Sequence, residues 1–588
     1  MKNVYLPMKT GKQYSINPSS LFGIGLMIII LSFILLDAGK WHYLRADPNL
    51  FFSLAFSCFV SIIAIIRSLR ERTVAAWIDG KSFCFLFGAS ILYLWLWNFR
   101  PGIIRETYAC MLLFILCTSV SNESLDTKHL TQAILGSSIL FSLYGLAQRC
   151  GFFASPTAYF PMTGSFDNPA GLGMFLAISF PYALSQYQYG WTNRLIVFLI
   201  GLTLLLTESR TSILAAAVAA TIYFSHKLSS RWQRALLLSI GLLFVGLYFY
   251  KPLSANGRLF ISYITARLVH GHFLTGNGPF SFETEYMMEQ ARYFVAHPTS
   301  SYIQLADNIT QPFNEYLHLF IRFGFMGLVL LSAIAWMTYQ KMRTCATRLK
   351  QAAWASLCAG AVCACFSYPC HYPAIWVLLI LSLSNIYTTT VSQGHAATRY
   401  KAFSVLAIAF CVLSLSIIQA RYEQQGISLE ERAANGEDSA SLQDSYNLLY
   451  DRSYFRIHPA FLYNYAIYLF EREQYAECLS ILEQSEAYKI DYNSQILKAY
   501  TLQHLGKIKL AIEAFQLASH MLPGRLQPHY ELINLYELTG QHRLAVLCAQ
   551  NALKLPLKVK NARTLYFQKE IQKFLIHSQT TKHKHTNP

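Results

Sequence analysis

An arginine at the junction of two apolar runs is the first residue whose position suggests chemistry. Arg210 lies in Glu208-Ser209-Arg210-Thr211, between the apolar stretches 202–206 and 212–220. A guanidinium group is planar, carries several N–H donors and keeps its charge, which suits it to phosphate groups. A cation at hydrocarbon depth costs at least ~2–3 kcal/mol, so Arg210 is a functional candidate. The alternative is that Arg210 anchors a helix end at the membrane boundary, paired with Glu208.

Three further polar stretches could contribute to the same chemistry. They are Phe166-Asp167-Asn168-Pro169, the segment with Arg258, Arg267 and the turn Gly276-Asn277-Gly278, and the group Asn314, Glu315, His318 and Arg322. The last three residues recur at i, i+3 and i+7, on one stripe of a helix. Such a stripe borders either a polar cavity or interfacial water. Arg258 is either a ligand-binding residue or an ordinary loop charge. A structural role is favoured for Arg267, because it belongs to no motif.

The elements that position these residues are predicted to be membrane helices. The chain has 588 residues, of which 54% are hydrophobic and 13% charged. Apolar runs of roughly 17–22 residues, the length that a helix needs to cross a bilayer, predict about thirteen spans in an all-α, polytopic membrane protein (12–13 transmembrane helices). The predicted spans lie near 19–37, 50–69, 82–99, 103–121, 131–150, 168–188, 191–207, 211–226, 233–250, 315–340, 352–369, 372–390 and 402–420.

The orientation follows from the basic residues, which concentrate in alternate short loops such as 67–72 and 341–350. These loops are predicted to be cytoplasmic. The turn with Arg210, the long loop 251–314 and the tail 421–588 then lie on the outer side of the membrane. The formal net charge of +17 is a topology signal, and nucleic acid is not predicted as a partner because binding it needs a concentrated basic face.

The chain divides by composition into a transmembrane domain (1–420, including the outer loop 251–314), a linker (421–459), a repeat region (460–575) and a disordered basic tail (576–588). In the repeat region small residues recur at a spacing of 34. The pairs are Gly506 and Gly540, Ala511 and Ala545, and Ala518 and Ala552. This spacing resembles tetratricopeptide repeats, which stack into solenoids that bind protein partners. A plain helical bundle is the alternative.

Taken in order, the outer motifs resemble the O-antigen ligase superfamily, which includes lipopolysaccharide O-antigen ligases, O-antigen polymerases and protein O-oligosaccharyltransferases. The matching motifs are Gly164-Ser165-Phe166-Asp167-Asn168-Pro169, Ser209-Arg210-Thr211, Arg258, Gly276-Asn277-Gly278-Pro279-Phe280, Asn314-Glu315-Tyr316-Leu317 and Gly324-Phe325-Met326-Gly327. The resemblance covers roughly residues 130–390. One departure is that Phe313 stands where the family has a histidine before the asparagine.

The resemblance implies a glycan donor carried on undecaprenyl diphosphate and an acceptor hydroxyl on lipid A-core or on a protein. Arg210 and Arg258 are then expected to bind the diphosphate. Because Phe313 cannot accept a proton, Glu315 and His318 become the candidate bases.

Asn168, Gly276, Gly278, Asn314 and Arg322 are expected to support the site. No metal ion and no cofactor are predicted, since preorganised arginines can stabilise the leaving diphosphate.

Other functions remain open at this stage. A ligase is favoured, with a polymerase or a protein glycosylase as alternatives that share the donor. A transporter with a periplasmic docking domain would place polar residues in mid-span instead of at the outer face. A pure scaffold and an unrelated glycosyltransferase that uses Asp37 or Asp47 are further possibilities.

Overall fold

The computed structural model describes residue 62 and residues 127–585, apart from 156, 158, 270–271, 345–346, 388–398, 437–438 and 558–559. Within these residues it contains nineteen α-helices and no β-strand. The predicted all-α fold class is confirmed. The four predicted spans before residue 127 lie outside the described residues, except for Ile62.

Each of the nine later predicted spans coincides with a helix. The helices up to the repeats are α1 (Thr127–Arg149), α2 (Pro169–Gln186), α3 (Trp191–Leu206), α4 (Arg210–Ser225), α5 (Ser230–Tyr250), α6 (Pro252–Arg267), α7 (Ser281–Ala296), α8 (Glu315–Thr344), α9 (Arg348–Phe366), α10 (Pro373–Tyr387) and α11 (Arg399–Ala434). Among the described helices α5, α8 and α9 are long and apolar enough to cross a membrane, and α3, α4 and α10 are shorter apolar helices.

The membrane region is organised around α2, α4 and α9, which pack against one another. Small residues allow this close approach, as expected for helices in lipid. Ala215 and Ala219 of α4 and Ala355 and Ala359 of α9 are fully buried. The Ser356 hydroxyl donates to the Ile178 carbonyl (2.6 Å), which adds a polar link between α9 and α2. The first turn of α4 and the last turn of α9 are thereby held close together.

The repeat region consists of helix pairs. The later helices are α12 (Ser439–Tyr450), α13 (Pro459–Glu471), α14 (Tyr475–Glu486), α15 (Tyr492–His504), α16 (Ile508–Met521), α17 (Leu526–Leu538), α18 (His542–Lys554) and α19 (Ala562–His585). Gly506 and Gly540 both have φ +72° in the turns inside two pairs, and Glu473 (φ 61°) takes the same place in the first pair. Such values favour glycine, which explains its recurrence.

The recurring alanines lie where the helices of a pair cross. Ala511, Ala545, Ala518 and Ala552 are fully buried. Cys478 is also fully buried, at the corresponding position of the first pair. The tetratricopeptide-like repeats predicted from the sequence are therefore present as stacked helix pairs.

Two predicted boundaries differ from the structure. The range 421–459, predicted as a linker, contains the end of α11 and all of α12, because Leu429, Leu442, Tyr446 and Leu449 are buried against α13. The range 576–588, predicted as a disordered tail, is helical through His585 as the end of α19. In both ranges the polar composition hid helices that extend the repeat region.

The repeats share a hydrophobic core with the loop between α5 and α8. Phe282 and Met287 of α7 and Met521 of α16 are buried in the same cluster. The Gln290 side chain, which has no exposed surface, donates to the Met521 carbonyl (2.8 Å). A common core requires that the loop and the repeats lie on the same side of the membrane.

Candidate active site

A cavity of about 510 Å³ opens where α4, α5, α6, α9 and the segment before α8 meet. This volume lies in the range of about 300–1,000 Å³ that is typical of ligand pockets. Arg210, Arg258 and Asn314, three of the predicted site residues, line it together. Much of its wall is apolar, and the large apolar side chains are Leu214, Phe244, Leu247, Leu259, Phe313 and Phe366.

Arg258 lies in the second turn of α6, and its guanidinium group already donates two hydrogen bonds within the protein. Its Nη1 donates to the Phe366 carbonyl (2.6 Å) and to the Thr211 hydroxyl (3.0 Å). An arginine has five N–H donors, so three remain for a ligand after these two bonds. Burial, and then the charge of Arg210, lower the pKa of Arg258 to about 10. The side chain is still a cation at neutral pH.

Arg210 is the first residue of α4, and its side chain closes the end of α5. Nη1 donates to the Leu247 carbonyl (3.2 Å) and the Lys251 carbonyl (2.9 Å), and Nη2 donates to the Ser254 hydroxyl (3.0 Å). Carbonyls in the last turn of a helix have no partner within the helix, so this contact stabilises α5. Of the five donors, two remain for the cavity. Arg210 therefore has a structural role and can also bind an anion.

The cavity carries uncompensated positive charge. Two arginines line it, and none of the described lining residues is Asp or Glu. Glu208, which the sequence offered as a partner for Arg210, instead pairs with Lys251 (3.0 Å). Two cations in a partly apolar site attract an anion strongly because the local dielectric constant is low. The arrangement fits a ligand with an anionic head and an apolar tail.

Phe313 and Asn314, in the segment before α8, form another part of the cavity wall. The Phe313 ring lies under the Arg258 guanidinium, 5.1 Å from its central carbon, and Phe313 has a φ of 54°, which is strained for a residue with a side chain. The Asn314 side chain accepts from the backbone N–H groups of Tyr316 and Leu317 (both 3.0 Å). Asn314 is thus the N-cap of α8, and it fixes Phe313 at the cavity.

Two glycine motifs contact each other backbone to backbone. The Asn277 N–H donates to the Ile321 carbonyl (2.7 Å) and the Phe325 N–H donates to the Phe273 carbonyl (2.9 Å). A Cβ atom on Gly276 would lie 2.5 Å from the Arg322 carbonyl, and one on Gly324 would lie 2.4 Å from the Leu274 backbone. Both glycines have positive φ values.

These glycines are therefore required by close approach as well as by backbone conformation. Gly278, with φ 104°, continues the turn, and its N–H donates to the Arg322 carbonyl (3.3 Å). The backbone of Arg322 thus helps to hold the turn. Its side chain does not line the cavity of Arg210 and Arg258.

The elements that form the cavity carry sequence motifs that resemble those of a known family. Residues 195–332 match the O-antigen ligase family. The matched segment begins in α3 and ends in α8, so it contains Arg210, Arg258 and Asn314. The resemblance inferred from the motifs is confirmed for this segment, which supports a membrane glycosyltransferase of the ligase or polymerase kind.

Other comparisons add little. The crystal structure of yeast Tom70 is 9% identical to the chain, and the alignment covers 88% of this chain and 96% of Tom70 with a TM-score of 0.23. A TM-score this low carries no argument about fold or function. No curated protein matches the sequence.

Asn168 joins the start of α2 to the segment that follows α9. Its side-chain oxygen accepts from the Ala170 N–H (2.8 Å), which caps α2. Its amide nitrogen donates to the hydroxyls of Tyr368 (2.7 Å) and Tyr372 (2.9 Å). Tyr368 in turn packs edge-on against Phe313, with 5.0 Å between the ring centroids. Asn168 therefore supports the cavity wall from behind and does not line it.

The two predicted bases lie outside the lining of the cavity that Arg210 and Arg258 share. Glu315 accepts from the Cys370 N–H (3.0 Å), and its carboxylate lies 3.7 Å from His318 Nδ1. The His318 ring packs against Phe282 of α7, with 5.9 Å between centroids. The two side chains face the same side of α8, as their spacing predicts. That side faces α7 and the segment after α9.

Sequence reasoning missed the contribution of α5 and of the end of α9. Phe244, Leu247 and Tyr248 of α5 line the cavity, as does Phe366 of α9. Their apolar character is ordinary for a membrane span, so it carried no signal. Thr211 was part of the Ser-Arg-Thr motif, and its hydroxyl could have been expected to hold an arginine.

Proposed function

We propose that this protein transfers a glycan from an undecaprenyl-diphosphate carrier to a hydroxyl acceptor at the periplasmic face of the bacterial inner membrane, as an O-antigen ligase does. The cavity lined by Arg210 and Arg258 is the observation that carries this proposal. It combines two cations with apolar walls and has no carboxylate among its described lining residues. A polyprenyl diphosphate has the matching anionic head and apolar chain.

In the proposed reaction the acceptor oxygen attacks the anomeric carbon, and the bond from that carbon to the diphosphate oxygen breaks. The electron pair of that bond stays on the diphosphate, which gains negative charge as the sugar leaves. The free N–H donors of Arg258 and Arg210 stabilise this charge more strongly than they stabilise the bound donor. Since Thr211 and Phe366 already fix Arg258, little reorganisation is needed.

The acceptor hydroxyl must also lose its proton. Glu315 and His318 are the sequence-based candidates for this role, and their location outside the cavity lining favours a positioning role instead. The Cys370 N–H bond of Glu315 holds the segment that follows Phe366, whose carbonyl binds Arg258. In this proposal Glu315 keeps the Arg258 site in shape, and the proton leaves to water at the cavity mouth.

Two substitutions at position 315 separate these roles. Glu315→Gln keeps an oxygen that can accept from the Cys370 N–H but cannot take a proton at neutral pH. A positioning role predicts nearly normal transfer for Glu315→Gln and reduced transfer for Glu315→Ala. Loss of transfer in Glu315→Gln would identify Glu315 as the base, and loss in His318→Ala alone would point to His318. Phe313→His tests whether an imidazole at the family position raises the rate.

The whole function is tested with purified protein and a lipid-linked glycan donor. Transfer to lipid A-core should occur and should be lost in Arg258→Ala. Deletion of the gene should remove long-chain lipopolysaccharide. Single-unit chains after deletion would indicate a polymerase, and faster-migrating glycoproteins would indicate a protein O-oligosaccharyltransferase. An unchanged glycan profile together with no transfer in vitro would refute the proposal.

The periplasmic location of the tail is part of the proposal. The loop between α5 and α8 and the repeats share a core, so one reporter places both. An alkaline phosphatase fusion at residue 425 should be active, whereas activity only of a cytoplasmic reporter there would reverse the topology. We also propose that the repeats bind a protein partner, which an affinity comparison with a repeat-surface variant can test.

A further inference from the structure

A second cavity, of about 540 Å³, lies in the loop domain between the end of α6 and α7. Leu268 and Met288 are its apolar lining residues, and the other lining residues are polar or charged. This polar cavity contrasts with the first cavity, whose walls are largely apolar. It is separate from the residues that the proposed transfer reaction uses.

The charges of the polar cavity balance. Arg267 and Arg292 line it, and so do Glu285 and Glu289. Glu289 bridges the two arginines, with Oε1 2.6 Å from Arg267 Nε and Oε2 3.0 Å from Arg292 Nη1. Two cations and two anions give no net attraction for a phosphate. They offer donors and acceptors side by side, which neutral hydroxyl groups require because each hydroxyl both donates and accepts.

Amide and hydroxyl groups add to this set. The Asn277 amide nitrogen donates to the Leu268 carbonyl (2.9 Å) and to Glu285 (3.3 Å), so its orientation is fixed. Thr284 also lines the cavity. The glycine contact with α8 holds Asn277 from below, since its own N–H donates to the Ile321 carbonyl (2.7 Å). A preorganised polar pocket loses little entropy when it binds a ligand.

The two cavities are linked by one rigid element. Arg258 and Arg267 are nine residues apart in α6, which is about 14 Å along a helix axis and places them on opposite faces. A ligand that reached from one cavity to the other would have to be longer than a single sugar. An oligosaccharide meets this condition, whereas a diphosphate does not.

We propose that the polar cavity is a binding site for a neutral, hydroxyl-rich oligosaccharide. The assignment of this glycan to the donor or the acceptor of a transfer reaction rests on the proposed function. The binding itself does not depend on transfer. Two sources contain neutral sugar units of this kind, namely the glycan of the lipid-linked donor and the core oligosaccharide of the acceptor.

The test measures oligosaccharide affinity by calorimetry with the full-length protein in lipid nanodiscs. One probe is the oligosaccharide released by mild acid from the polyprenyl-linked glycans of the producing cell, and the other is the delipidated core oligosaccharide. At least one probe should bind. Arg292→Gln should weaken it by about tenfold, since it removes a charged hydrogen-bond donor, and Thr284→Val should weaken it measurably. The probe that responds identifies the source.

Two controls complete the design. Arg472→Gln changes an exposed arginine on the repeats and should leave the affinity unchanged. Arg258→Ala should abolish transfer but leave oligosaccharide affinity intact. No binding of either probe, or less than a twofold change in both cavity variants, would overturn the inference. Binding that responds to the variants in a protein without transfer activity would support the inference and contradict the proposed function.

Discussion

Arg258→Lys keeps a positive charge in the first cavity but removes most of the donors that face it. Arginine has five N–H donors, and Thr211 and Phe366 take two of them, which leaves three. Lysine has three donors, so one remains if both contacts persist, a loss of two. A hydrogen bond to a charged group contributes about 1.5–3 kcal/mol. The loss of two bonds therefore predicts a decrease of roughly 10²–10⁴-fold in kcat/KM.

The assay is transfer from a purified lipid-linked donor, with protein amount and Tm measured in parallel. Burial lowers the pKa of Arg258 and would also lower the pKa of a lysine in its place, so the assay is run near pH 6.5 to keep the lysine charged. Arg472→Lys is the matched control, because Arg472 also lies over an aromatic ring, Tyr468, at 5.5 Å. If Arg258→Lys kept more than one tenth of the wild-type kcat/KM, the proposed role of the several N–H donors of Arg258 would be refuted.

Three further predictions follow from other contacts. Arg210→Lys should keep the end of α5 closed, with an unchanged Tm, but should lower transfer at least about tenfold, because the contacts with Leu247, Lys251 and Ser254 would use all three donors of the lysine; full activity would indicate an anchoring role. Gly276→Ala should destabilise the protein by about 2–4 kcal/mol, since φ is +78° and the new Cβ would meet backbone at 2.5 Å, whereas Gly257→Ala, with no atom within 4 Å, should not lower the Tm. Burial lowers the pKa of His529 to about 4, below its unfolded value, so the stability of α16 and α17 is present above about pH 6.5 and should fall by about 1.4 kcal/mol per pH unit down to about pH 4. Hydrogen exchange, corrected for intrinsic rates, measures this slope, which His529→Gln should remove; an equal slope in that variant would assign it to another group.

The elements that the sequence predicts well are those set by local pattern. The length of an apolar run and the recurrence of Gly506 and Gly540 depend on neighbouring residues, and within residues 127–585, where the structure describes them, the helices and repeats appear where these signals place them. The meeting of Arg210, Arg258 and Asn314 was also expected, because their motifs are shared with O-antigen ligases.

Other features depend on contacts between distant segments. Gly276 must be glycine because the backbone of Arg322 approaches it, and neither segment alone reveals that approach. The spacing of Glu315 and His318 places them on one side of α8, but the packing of Phe282 decides what that side faces. The range 421–459 has a polar composition, yet a few buried residues such as Tyr446 are sufficient to order it as helix.

The shared core of the loop and the repeats has a consequence for biosynthesis. The buried amide of Gln290 finds its partner in the carbonyl of Met521, which is 231 residues later in the chain. At about 5–20 residues per second, the ribosome needs roughly 10–50 s to make the intervening chain. During this time α7 is present without the helix that covers its apolar side chains. Completion of this core is therefore coupled to synthesis of the end of the protein, and a nascent chain that stops before α16 would expose an incomplete core.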